Sequence, residues 1–248
     1  MRMDTPTAKH VGARLLGEIE EGSLEELLDS LRINLTDGSS NIRPEIPIPA
    51  LANIATRYHK ATQSAPPPIL SVTSRYLPLL YHLISTLITE PHNYTIVIID
   101  AENRFDVTRL ISSHPASHHL SNSYPAQPPD LRHVHVYRPP RGQEQVRAAV
   151  AAATQWMLYG THGSRSREWW GTVVIGGGSG TGGGMSVKGE VNAGWKGWLE
   201  VEREEVSGFP AGVSVEEALR DRDKRQEVVD AAGWVAASKV GGYMWKDI

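Results

Sequence analysis

Ile96-Val-Ile-Ile99 is an unbroken β-branched run between the polar Thr95 and Asp100. A strand with one wet face alternates apolar and polar side chains, whereas a strand that is apolar at every position has both faces covered. The run therefore implies a parallel sheet between layers of helix, and the flanking sequence supplies those layers. Ile69–Thr73 reads as a short strand. Residues 75–88 read as a helix whose Leu80, Leu83, Ile84, Leu87 and Ile88 share one face, with Pro78 tolerated in the first turn. A helix over 104–112, a strand over His133–Tyr137, a helix over 142–159 and a strand over Thr172–Ile175 continue the alternation. Strand and helix repeated and closed by a strand give an α/β fold with right-handed crossovers.

The flanks are less regular. Residues 9–32 read as two short helices, the second opened by the capping box Ser23-Leu-Glu-Glu26. Pro44, Pro47 and Pro49 form a connector before a helix over 50–60, and Pro66-Pro67-Pro68 marks a boundary near residue 65. Residues 113–130, rich in Ser, His, Asn and Pro, read as a loop. Beyond 176 the pattern weakens to a glycine run and one helix within 214–239. The expected division is a helical segment and connector over 1–65, an α/β core over 66–176, and a Gly-rich linker with a helical region over 177–248.

Composition narrows the function. A net charge of −3 over 248 residues gives no global basic field for nucleic acid, so any DNA contact must be local. With no cysteine there are no disulfides and no thiolate metal sites. No apolar run reaches the ~18 residues that a membrane helix requires, and a soluble intracellular protein is the expectation.

Asp100 and Glu102 lie just beyond the β-branched run, where open α/β sheets bind ligands. A glutamate there can aim water at a γ-phosphate, although on the local sequence alone a solvated turn acid is the better fit. Gly178-Ser-Gly180-Thr-Gly-Gly183 matches a dinucleotide fingerprint, but it is followed by a poor helix start and sits in a glycine-dominated stretch, so a flexible linker fits better. His114, His118, His119, His133 and His135 lack an acidic partner, and no metal is expected. Arg132, Arg138 and Arg141 flank the strand over 133–137 as candidate phosphate or DNA contacts, or as a solvated strand end. Leu15, Leu16, Ile19, Leu24, Leu27, Leu28 and Leu31 give the N-terminal helices apolar faces, for packing on their own sheet or for docking on another subunit.

Ile99-Asp-Ala-Glu102 followed by Phe105 and Arg109-Leu110 resembles the segment of RecA-type recombinases that carries their water-activating glutamate, with Glu102 at that position. Gly12–Leu16, Ser23–Glu26, Ile69-Leu70, Leu80–Leu83 and Val134–Tyr137 follow in the order of the X-ray repair cross-complementing branch of the eukaryotic recombinase paralogues. The resemblance covers about residues 10–176, and it implies a RecA-like parallel sheet with flanking helices and a short helical N-terminal segment. It also implies hetero-oligomeric association with other recombinase paralogues, nuclear location, and DNA contact through the complex.

The departures from that family are as informative. Its phosphate loop, Gly-x-x-x-x-Gly-Lys-Ser/Thr, falls here on an interval with no glycine and no lysine. Ser71, Thr73, Ser74 and Arg75 stand in its place. The strand that should end in a magnesium-binding aspartate ends in Gly176. Asp100 and Glu102 therefore read as vestigial, and neither ATP nor magnesium is expected as a cofactor. The expectation is a non-catalytic subunit of a recombinase-paralogue complex in double-strand break repair. The alternatives are a nucleotide-binding enzyme using an atypical Gly-rich site and a RecA-like scaffold unrelated to DNA. The core after 176 is expected to be shortened or irregular.

Overall fold

The computed structural model describes residues 44–66, 68–112, 126–176, 187, 189–208, 212 and 214–246. The compact unit begins at Pro44. Its elements are α1 (Pro49–Thr62), β1 (Leu70–Ser74), α2 (Tyr76–Ile88), β2 (Thr95–Asp100), α3 (Arg109–Ser112) and β3 (Val134–Tyr137). They continue with α4 (Gln143–Tyr159), β4 (Trp169–Ile175), β5 (Val191–Ala193), β6 (Leu199–Arg203), α5 (Val215–Arg220), α6 (Arg222–Asp230), β7 (Trp234–Ser238) and β8 (Gly241–Trp245).

All eight strands join one sheet in the order β3-β2-β4-β5-β1-β6-β7-β8. The first six are parallel, β7 runs antiparallel to them, and β8 turns back antiparallel to β7 at the edge. β2 is buried at every position, as its apolar run demands. Ile96 and Ile98 face the cluster containing α1 and α2, while Val97 and Ile99 face Val146, Ala153 and Met157 of α4. Helix α2 is buried on nearly all sides, with Leu79, Leu80, Leu83, Ile84, Leu87 and Ile88 fully enclosed.

Three expectations are corrected. First, the boundary near residue 65 does not divide the fold. Leu51, Ile54 and Ala55 of α1 belong to the main core, and the Trp170 indole donates to the Glu45 carbonyl at 2.9 Å, so the chain is anchored from Pro44 onward. Second, the core is not shortened after 176. β5 to β8 complete the sheet, and Leu199, Val201, Ala236 and Trp245 are buried in it. Third, the helix over 104–112 contracts to Arg109–Ser112. An Asp106 side-chain oxygen takes the Thr108 N–H, which a helix begun at 104 would give to the Arg104 carbonyl, and Asp100 holds the Phe105 N–H in the turn before it.

The link from β5 to β6 is unusual. Parallel strands that flank a third need to pass over it, ordinarily through a dozen or more residues. Here 194–198 suffices because β5 pairs with the first half of β1 (Leu70 to Val72) and β6 with the second (Val72 to Ser74). The chain steps across β1 at that midpoint, held by Gly194 N–H to Val72 O at 3.0 Å and Trp198 N–H to Ser71 O at 3.0 Å. Gly197 presses flat on the strand; a Cβ there would lie 2.6 Å from the Ser71 carbonyl oxygen.

Candidate functional site

The carboxyl ends of β1, β2 and β4 converge on the residues the sequence singled out. β1 turns sharply at Ser74, whose φ of 67° is left-handed, and α2 begins only two residues later at Tyr76. A phosphate loop works by wrapping several successive backbone donors around the phosphates. There is no length for such a loop here. Arg75 spends its N–H on the Val201 carbonyl at 3.0 Å, and Pro78 removes another donor from the first turn of α2.

Tyr76 fills the space instead. Its side chain is buried, and its hydroxyl donates to Glu102 Oε2 at 2.5 Å. Arg104 approaches the same oxygen at 3.4 Å, donates to the Tyr76 hydroxyl at 3.3 Å, and lies over the Tyr76 ring at 5.5 Å. Burial, reinforced by the Glu102 carboxylate, pushes the Tyr76 phenol far above its ordinary range. The tyrosine is therefore a permanent donor at physiological pH. Glu102 is held by a phenol and a guanidinium, with about a third of its side chain still exposed.

Gly176 closes the third side. It adopts φ 79°, and a Cβ would stand 2.6 Å from Cγ of Glu102. An aspartate at this strand end would collide with Glu102 and bring a second negative charge against it. The glycine that looked in sequence like the mere loss of a magnesium ligand is thus the residue that admits Glu102 beside β4.

Asp100 has a different task. It is fully buried, with Oδ2 accepting from Phe105 N–H at 2.8 Å and Oδ1 from Glu102 N–H at 3.3 Å. Arg138 Nε stands 3.9 Å from the same carboxylate, and Arg138 Nη2 donates to the Phe105 carbonyl at 3.0 Å. Asp100 and Arg138 together fold the 101–105 turn. Removing a buried acceptor strands the donors it served. Asp100→Ala is expected to cost about 2–4 kcal/mol in a urea titration, with Asp100→Asn, which keeps one oxygen acceptor, costing less.

Arg138 therefore braces the turn through its inner edge while its side chain remains exposed. Arg132 and Arg141 are exposed as well, Arg132 preceding β3 and Arg138 and Arg141 following it. Ser71, Thr73, Ser74 and Arg75 are spread along β1 and its turn. His133 Nδ1 and His135 Nε2 both hydrogen-bond to the Ser164 hydroxyl at 3.0 Å, tying β3 to the segment before β4. Burial lowers the pKa of both imidazoles. Among the described residues no three His, Asp or Glu side chains gather as a metal site would require.

The leucine faces at Leu15, Leu16, Ile19, Leu24, Leu27 and Leu28, the glycine run at 178–183, and His114, His118 and His119 lie outside the described residues. No described helix is long and apolar enough to cross a membrane. Sequence reasoning missed Tyr76 and Arg104. The available signal was the replacement of a glycine-rich loop by a bulky aromatic, together with an arginine two residues after the glutamate. No protein-family model matches the chain, and no curated protein matches it.

Proposed function

We propose that this chain is a RecA-like, non-catalytic subunit that associates with recombinase paralogues in homologous recombination repair in the nucleus. The observation that carries this reading is the contact between Tyr76 and Glu102. The first residue of α2 and the glutamate past β2 meet, as they would in an ATPase that holds its phosphate loop against its water-directing acid. At that meeting point a phenol, rather than a nest of backbone donors, faces the acid. The parallel order of β2, β4, β5 and β1, with helices on both faces, supports a RecA-like core. The family assignment itself rests on the sequence resemblance.

Phosphoryl transfer depends almost wholly on positioned charges and donors. With the loop absent and Glu102 engaged by Tyr76 and Arg104, the surfaces of the protein carry its role. Calorimetric titration with ATP and with NAD, each with and without magnesium, is expected to show no micromolar binding. Micromolar binding of either would favour the nucleotide-binding alternative. Purification of the tagged full chain from damaged cells is expected to recover recombinase paralogues. Recovery of none would sink the repair assignment, and recovery of a tRNA-modifying or other assembly would replace it.

A further inference from the structure

The face of the sheet opposite α2 is packed by α4 across β2 and β4, while no described helix covers it over β1, β6 and β7. Register places Thr73, Glu200 and Ala237 side by side across those three strands. Glu202, Val235 and Met244 form the next row, and Met244 is 66% exposed. At the end of the first row, the short crossover presents Trp198, whose indole stacks on Tyr58 with ring centroids 4.1 Å apart and planes 10° apart. Tyr58, Trp198, Thr73, Glu200, Ala237 and Lys239 line a hollow of about 650 Å³ that opens onto the uncovered face. Among the described residues neither the Glu200 carboxylate nor the Lys239 ammonium has an ion-pair partner.

We propose that this hollow receives one arginine side chain from an extended segment of a partner protein. A guanidinium is planar, stacks on aromatic walls and pairs with a carboxylate through two parallel hydrogen bonds. The Tyr58–Trp198 pair supplies the wall and Glu200 the carboxylate. The same segment continues over Glu202 towards Val235 and Met244, where apolar side chains find contact. Lys239 on the lining repels a run of basic residues and selects an isolated arginine followed by an acidic or apolar residue. Glu200 and Glu202 disfavour a phosphate backbone on this face. The proposal stands whether or not the partner is a recombinase paralogue.

The test titrates the full chain with the acetylated, amidated peptide Ala-Arg-Glu-Val and with its citrulline analogue, followed by tryptophan fluorescence and calorimetry. Citrulline keeps the shape and loses the charge. The arginine peptide is expected to saturate the protein below about 1 mM, and the citrulline peptide to bind about tenfold more weakly. Glu200→Gln, at an exposed and unpaired position, is expected to weaken the arginine peptide about tenfold with an unchanged urea midpoint. Trp198→Leu is expected to abolish the fluorescence change. Equal affinity for the two peptides, unchanged affinity in Glu200→Gln, or no saturation at all overturns the proposal. Competition of the peptide by a single-stranded oligonucleotide also overturns it.

Discussion

Replacing Gly197 with alanine is expected to cost about 3 kcal/mol or more, and valine more again, read as a lowered urea midpoint. The added Cβ would sit 2.6 Å from the Ser71 carbonyl oxygen, and 2.8 Å from the carbonyl carbons of Ser71 and Val72. These are backbone atoms of a strand paired on both sides, so no rotamer change relieves the clash. Either the crossover lifts off β1, breaking the Trp198 N–H to Ser71 O bond, or β1 shifts between β5 and β6. Gly194→Ala, where a Cβ meets nothing within 4 Å, is the matched control and is expected to change stability little. Equal midpoints for the two variants would show that the crossover is looser than its geometry implies.

Acidification is expected to remove on the order of 3 kcal/mol of stability through His82 alone. The imidazole is buried between α2 and the β7–β8 hairpin, stacked at 5.9 Å on Tyr243 and at 5.8 Å on Trp245, with Nε2 2.7 Å from the Tyr243 hydroxyl. Burial lowers its pKa from 6.5 to about 4. The facing Tyr243 phenol is itself pushed up to about 12 by burial, so it stays neutral and offers no compensating charge. The folded state therefore holds the imidazole neutral at pH values where the unfolded chain protonates it. The stability is fully present above about pH 6.5 and is lost as pH falls towards 4, because the unfolded state binds the extra proton throughout that window. His133 and His135, also lowered, act in the same direction. His82→Leu is expected to flatten the unfolding free energy between pH 7 and 4 relative to the parent chain. An equally steep loss in that variant would move the cause elsewhere.

The first half of the fold was legible because its periodicities were unambiguous. Ile96–Ile99 predicted a doubly covered strand, and Leu80, Leu83, Ile84, Leu87 and Ile88 predicted the helix behind β1. The strands after 176 were harder. β5 is only three residues long, and the long crossover that normally announces a parallel neighbour is absent before β6. Yet Leu199-Glu-Val-Glu202 carries a clear alternation, with Leu199 and Val201 buried and the glutamates out. The aromatic Trp234 and Trp245, at the outer ends of the β7–β8 hairpin, mark its pairing. In the candidate site, sequence located Glu102, Asp100 and Gly176 but not their partners. Tyr76 lies 26 residues from Glu102, and Arg138 reaches Phe105 from 33 residues away, so both depend on strand order.

The step across β1 also governs when the sheet becomes whole. β1 is made early, yet both of its neighbours, β5 and β6, are contributed by residues 191–203. On a growing chain the strand has no edge to join until well over a hundred further residues have been made. During that interval α2, the most apolar helix here, has an incomplete sheet beneath it. Folding rate falls as contacts become more distant in sequence, and exposed apolar surface in the interval invites aggregation. A chain ending before residue 191 would give β1 neither of its neighbours, and one ending before 199 would give it only β5.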